Sequence, residues 1–266
     1  MTHKECFSHE KHDIYSNFKK FEMFSVIYAP PDTPCIVRCD GRNFHRLTDE
    51  VGFSKPYDLK FMKIMVESAK AVFKEGFNPI LAYIFSDEIN FLFRDLPFNR
   101  RVEKIDSILA SIVSSAFSLK LLESMSIRKI ISFDARIVPL PEELVPAYFI
   151  WRQSECWRNL LNSYAFYSLL KLGYSKRKAA NTLKGMKSDK LHEIIFKTSG
   201  INPARTPLWQ RRGVMLHYVK VIRRALDKRT GEEVLCTRKV LVENWNVPLF
   251  SSEPGRKFLE KIIRIL

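Results

Sequence analysis

The chain has no CxxC pair, no histidine at zinc-finger spacing, no low-complexity tract, no internal repeat and no Gly/Ser linker. The missing Cys/His spacing excludes a zinc module, and the five cysteines Cys6, Cys35, Cys39, Cys156 and Cys236 are expected to be reduced thiols, mostly in the core. Without linkers or repeats, nothing forces a split into independently folding units. Long apolar runs are missing too. The longest uncharged stretch, Ser107 to Leu119, is shorter than a bilayer requires, and the polar opening MTHKECFSHEKHDIYSNFKK lacks a leader pattern, so a cytoplasmic protein with no membrane partner is expected. Acidic residues are scarce: 29 Asp and Glu stand against 44 Lys and Arg, a formal +15 in 266 residues. A polyphosphate partner fits such an excess, because each neutralised phosphate releases counterions.

What is present reads as α+β. PCIVRC (34 to 39) is a short apolar run behind a proline and predicts a buried strand ending at Asp40-Gly41. Met62, Met65, Val66, Ala69, Val72 and Phe73 recur at helical spacing, with Gly76 placed as a stop. PILAYIFSDEINFLF (79 to 93) contains two apolar runs parted by Ser86-Asp87-Glu88, a hairpin with a tight turn. A long amphipathic helix over about 99 to 122 and a fourth strand near ISFDARIV (131 to 138) complete a β-α-β-β-α-β order. That is the pattern of a ferredoxin-like, polymerase-palm antiparallel sheet with flanking helices. The remainder is expected to be helical from about 143 to 196. A basic, β-rich region follows from Val214, with a hairpin near Thr230-Gly231 and an amphipathic closing helix, PGRKFLEKIIRIL. A palm-like catalytic region over 1 to 140 and an RNA-binding, oligomerising region over 141 to 266, packed as one unit, is the expected division.

The chemistry centres on carboxylates. Asp40 at a strand end and Asp87 in the adjoining turn meet if the sheet sets those strands side by side, and Mg²⁺ suits one or two carboxylates supplemented by substrate phosphates. Gly41 has no side chain to obstruct its carbonyl, a further oxygen. Two ions about 3.5–4 Å apart serve phosphoryl transfer. Turn-forming aspartates without chemistry are the plain alternative. Glu88 is set down as a supporting catalytic carboxylate, although on a strand it faces away from Asp87. Lys55 precedes the first helix; Arg100, Arg101 and Lys104 open the second long one; Arg136 is expected to follow the fourth strand. Cations around a carboxylate site suit a triphosphate.

DGRNFHRLT (40 to 48), FSKPYD (53 to 58), AYIFSDEINFLF (82 to 93), NRRVEK (99 to 104), FDARIVPLP (133 to 141), WRQSEC (151 to 156), GINPARTP (200 to 207) and WQRRG (209 to 213) resemble, in order, the tRNA-His guanylyltransferase family and its Thg1-like relatives. The resemblance covers about 34 to 215. It implies a palm enzyme that polymerises from 3′ to 5′: the tRNA 5′-monophosphate is activated by ATP or GTP, then attacked by the 3′-hydroxyl of an incoming nucleotide. It implies two Mg²⁺ ions on Asp40, the Gly41 carbonyl and Asp87, and an activating nucleotide beside Arg42, Asn43, Phe44, His45, Lys55, Asp58, Ser86 and Asn159. Arg101, Lys104 and Arg136 match positions that grip a second triphosphate. A homotetramer, as a dimer of dimers, is implied as well. Family members that add guanosine to tRNA-His carry HINNLYN after WRQ, whereas Cys156 is followed here by WRNLLNS (157 to 163), with Asn159 the polar residue kept in register. This departure favours templated repair of the tRNA 5′ end over addition of a guanosine at position −1. DKLHE (189 to 193) also departs from the family pattern, so no role is carried there.

Arg152 and Arg158 are expected to contact RNA. So are Lys176, Arg177, Lys178, Lys184, Lys187 and Lys190, and Arg205, Arg211, Arg212, Arg223 and Arg224, because RNA helices are bound largely through shape and phosphates. Trp151, Tyr164, Phe166 and Tyr167 are expected to be mostly core. A nucleotide cyclase, whose hairpin would carry Gly-Gly before the acid, and an RNA-binding protein without activity are the competing readings.

Overall fold

The computed structural model describes residues 17–226, 229 and 231–264. Cys6, and Thr230 of the expected hairpin, lie outside the described residues.

Six antiparallel strands form one sheet in the order β4-β1-β3-β2-β5-β6, with β1 Cys35–Gly41, β2 Leu81–Phe85, β3 Glu88–Phe93, β4 Phe133–Pro139, β5 Val214–Leu226 and β6 Glu233–Asn244. The first four strands stand in the ferredoxin-like order the sequence led us to expect. The C-terminal hairpin does not form a separate layer: β5 pairs with β2 from Leu81↔His217 to Ile84↔Val214 and extends the palm sheet by two strands.

Alternation along β1 divides its side chains between two cores. Cys35, Val37 and Cys39 join Met65, Val72, Leu109, Val113 and Phe117 beneath helices α2 (Leu59–Lys74) and α3 (Val102–Met125). Ile36 joins Tyr83, Tyr148, Phe149, Phe250 and Leu259 beneath helices α4 (Val145–Lys171) and α8 (Glu253–Arg264). Helix α3 is long and apolar enough to cross a membrane by length and composition, but Ile105, Leu109, Val113, Phe117 and Leu121 are fully buried along the stripe that packs here. A third cluster joins the C-terminal half of α4 to α5 (Lys176–Leu183) and α6 (Ser188–Ser199) through Leu160, Leu161, Ala165, Leu183 and Ile195.

Local chemistry explains the boundaries. The Asp58 carboxylate accepts from the amides of Lys60 and Phe61 and so caps α2. Gly76 adopts φ +85° just beyond that helix, where a turn needs it. Ser175 caps α5 by accepting from Lys178 N. The sequence reading placed no helix at α1, Phe44–Val51, which starts within DGRNFHRLT and buries Phe44, Leu47 and Val51. A short α7, Leu208–Arg212, leads into β5.

Candidate active site at the tip of the sheet

The hairpin between β2 and β3 turns at Ser86-Asp87, with Ser86 held at φ +50°. The Asp87 carbonyl accepts from Gly41 N at 3.0 Å, which sets the turn against the end of β1 and brings Asp87 beside Asp40. Gly41 is required there for a reason additional to the openness of its carbonyl: a Cβ would stand 2.4 Å from the Phe44 ring. Phe44, 4% exposed, packs edge-on against Phe61, Phe117 and Phe133, so α1 is pinned under the Asp40 end of the strand.

Burial pushes the Asp87 carboxyl up to about 6; the Ser86 hydroxyl, donating at 2.9 Å, opposes the shift and the Asp40 charge adds to it. Among the described residues neither aspartate bonds to a lysine or arginine side chain. Two adjacent carboxylates, with Arg136 interacting with Asp40 only through space and no direct ion pair to either, fit a divalent cation, which would supply further positive charge. No group of three or more His, Cys, Asp or Glu gathers among the described residues.

A cavity of about 710 Å³ opens beside this tip. Phe44, His45, Lys55, Asp58, Ser86, Asp87 and Asn159 all line it, drawn from α1, the loop after it, the hairpin turn and α4. Such a volume, with aromatic side chains and polar groups sharing the lining, suits a nucleotide-sized ligand. Lys55 Nζ lies 3.0 Å from Asp49, which also meets Lys176 at 3.0 Å, so a carboxylate on α1 holds the cavity lysine and ties the start of α5 to the palm. The two ammonium groups hold the Asp49 carboxyl down at about 2. Sequence reasoning had passed over Asn162, Ser163, Asn181, Tyr57 and Trp209, all of which also line the cavity. Asn162 and Ser163 stand in the WRNLLNS stretch, the very segment that departs from HINNLYN; the others needed the fold.

Several expected site residues stand elsewhere. Arg42 and Asn43 are exposed at the start of α1 and do not line the cavity. Asp40 and Gly41 stand beside the cavity without lining it, and Arg101, Lys104 and Arg136, expected at a second triphosphate, lie outside it, with Arg136 near enough to feel the Asp40 charge. Arg101 precedes α3, Lys104 lies 5.0 Å over the Phe98 ring, and Arg136 is not beyond β4 but within it, opposite Arg38 and 2.8 Å from Asp134. Asp58 lines the cavity while its carboxylate is committed to the cap of α2 and to Ser54 N at 2.9 Å. Glu88 and Arg152, expected as a catalytic carboxylate and an RNA contact, are instead partners in a buried ion pair, each 7% exposed. Trp151, expected in the core, is 48% exposed; Tyr164, Phe166 and Tyr167 are half-buried. The WRQ run thus has a structural logic: Arg152 reaches the sheet, while Gln153 accepts from Phe250 N at 2.7 Å and donates to Pro248 O at 3.0 Å.

The sequence profile described as tRNAHis guanylyltransferase matches residues 15–141, and that of the Thg1 C terminal domain matches 143–243. The chain belongs to the tRNA-His guanylyltransferase family. The protein named tRNA(His) guanylyltransferase in Debaryomyces hansenii is 37% identical over 193 residues, 69% of this chain and 72% of its own. Its namesake in Schizosaccharomyces pombe is 31% identical over 88% of this chain and 93% of its own. Among solved structures, a bacterial Thg1-like protein in complex with ATP superposes with a TM-score of 0.74 at 24% identity, over 95% of this chain and all of that one. The tRNA(His) guanylyltransferase of Saccharomyces cerevisiae gives a TM-score of 0.66 at 26% identity, over 82% of this chain and 95% of that one. Membership of the family removes the cyclase alternative.

Within the family frame the basic residues divide by availability. Arg177, Lys178, Lys184, Lys187, Lys190 and Arg205 are exposed, and Arg158 is exposed beside Glu155. Arg211 and Arg212 are half-buried, with Arg212 Nη1 on Val247 O at 3.4 Å.

Proposed function

We propose that the chain is a 3′-to-5′ nucleotidyltransferase acting on the 5′ end of tRNA, with templated repair as its task. The observation that carries this reading is the cavity that runs from Asp87, beside Asp40, to Lys55 and Asn159 in a chain of this family. In the first step an oxygen of the tRNA 5′-monophosphate attacks the α-phosphorus of ATP or GTP; a P–O bond forms and pyrophosphate leaves. In the second, the 3′-hydroxyl of an incoming nucleotide attacks the activated 5′-phosphate, and the nucleoside monophosphate leaves. Asp40, the Gly41 carbonyl and Asp87 would hold Mg²⁺, which supplies charge neutralisation to the phosphoryl groups when bound. Lys55 exchanges Asp49 for the triphosphate, and the aromatic wall of Tyr57, Phe166, Tyr167 and Trp209 excludes water around the base. Arg101, Lys104 and Arg136 remain our assignment for the second triphosphate, and we expect a dimer of dimers.

Addition of guanosine to tRNA-His is supported equally by the names of the eukaryotic relatives. The WRNLLNS segment, with Asn162 and Ser163 in the cavity wall, supports repair. Offering 5′-truncated and full-length tRNAs with matched or mismatched 3′ partners separates them. Incorporation that follows the opposing base supports repair; guanosine on tRNA-His whatever stands opposite supports the second reading; no transfer to any tRNA overturns both.

A further inference from the structure

The Ser86-Asp87 turn is gripped from both ends by one side chain on the opposite layer. Arg152, on α4, donates from Nε to Glu88 Oε1 at 2.9 Å and from Nη2 to Oε2, a two-pronged pair that an ammonium could not form. The same guanidinium lies 5.3 Å over the Phe85 ring and 4.5 Å over that of Trp151. Phe85 and Glu88 are the residues immediately before and after the turn. Glu88 is further fixed by Asn90 Nδ2 at 2.7 Å, and Asn90 Oδ1 accepts from the Tyr148 hydroxyl, also on α4, at 2.7 Å. The Glu88 carboxylate has thus spent its oxygens on the protein and is not presented to a ligand. Its strand neighbour Asp40 pairs directly opposite it, so any shift of Glu88 is felt on both sides of the carboxylate pair.

A buried ion pair of this kind is weak evidence for stability, since two well-packed apolar side chains often serve as well. Its place around the turn suggests a different reason for its presence. We propose that Arg152 is a positioning residue, which through Glu88 and Phe85 fixes the Ser86-Asp87 turn so that Asp87 and Asp40 stand together to receive a divalent cation. The inference rests on the proposed function only in that Asp40 and Asp87 are the metal ligands.

The test is binding of Mn²⁺ to the full chain, followed by electron paramagnetic resonance of the free ion, with thermal melting and steady-state kinetics alongside. Arg152→Lys keeps the charge and loses the fork. The double variant Glu88→Leu/Arg152→Met removes both charges and fills the space with apolar atoms, so it keeps the layer packed even if the single variant unfolds. Metal affinity should fall at least about 10-fold in each folded variant, the effect expected when an outer partner of a ligand is lost. At saturating metal kcat should fall while KM for ATP changes less than about 3-fold. Native Mn²⁺ affinity in the folded double variant overturns the proposal, whatever its melting temperature. Asp87→Ala, run in parallel, keeps the two questions apart. If it still binds Mn²⁺ as the native chain does, the ligand assignment is wrong; if it loses the ion while the double variant keeps it, only the positioning role is lost.

Discussion

Asp87 and Asp106 are both held near 6 by burial, yet their surroundings give them different fates. Asp87 faces a cavity and a second carboxylate. Asp106, on α3, has its shift opposed by Arg136, and its Oδ1 is buried with no hydrogen-bond partner among the described residues. The folded-state value lies above the ordinary 3.8, so the folded chain disfavours the ionised form. The cost is absent below about pH 3, where folded and unfolded chains are both protonated, and complete above about pH 6. Asp106→Asn removes it. Denaturant unfolding should show the variant more stable by about 1 kcal/mol at pH 7.5, after allowance for screening by solvent, and equal to the native chain at about pH 3. An equal gain at both pH values would mean that the carboxyl's shape, not its charge, is the cost.

Residue types at this scale were legible in part. Asp40, Gly41 and Asp87 announced themselves by their positions at strand ends and in a turn, and Lys55 by its place before a helix. Glu88 and Arg152 did not, because they lie 64 positions apart and only the packing of α4 on the sheet makes each the other's counterion.

Among the elements, β1 to β4, α2 and α3 could be read from periodicity and from the Pro and Gly that bound them. Helix α1 could not, because its eight residues give only two turns of signal. The pairing of β5 with β2 had no local signature at all: it depends on Gly213. That residue sits at φ +73°, and a Cβ there would stand 2.7 Å from both Ile84 O and the Tyr83 ring, at the point where the C-terminal hairpin joins the palm. Gly213→Ala should therefore cost more than about 2 kcal/mol in unfolding experiments, combining a strained φ with a backbone clash. A loss of only a few tenths would show that the junction relaxes freely.

Asp58 gives a second test at the same scale, because the resemblance placed it beside the nucleotide and the structure makes it the N-cap of α2. Asp58→Ala should lower stability by about 1 kcal/mol, while Asp58→Asn, an equally good cap, should keep it. With the cap intact in the Asn variant, its KM for ATP reads any direct contact with the nucleotide on its own; an unchanged KM leaves Asp58 as a helix cap that lines the cavity without gripping the ligand.

Taken as a whole, the molecule carries its +15 unevenly. Next to the cavity, α5 and α6 present Arg177, Lys178 and Lys190 to solvent, as does Lys187 just before α6, and Lys184 reaches the cavity wall. The β5–β6 ribbon carries Lys220, Arg223, Arg224, Arg238 and Lys239. If a tRNA acceptor stem delivers its 5′ end to the cavity, the first group lies under it. Replacing Lys178, Lys187 and Lys190 together by alanine should weaken tRNA binding and lower the slope of log K against log salt by about 2 to 3, near the release expected for three phosphate contacts. The melting temperature should stay near the native value, because exposed side chains contribute little to stability. A weaker complex with an unchanged slope would mean that these lysines act without touching phosphates. An unchanged complex would assign the RNA track to the ribbon instead, where the same measurement on Arg223, Arg224 and Lys239 should then reproduce the loss.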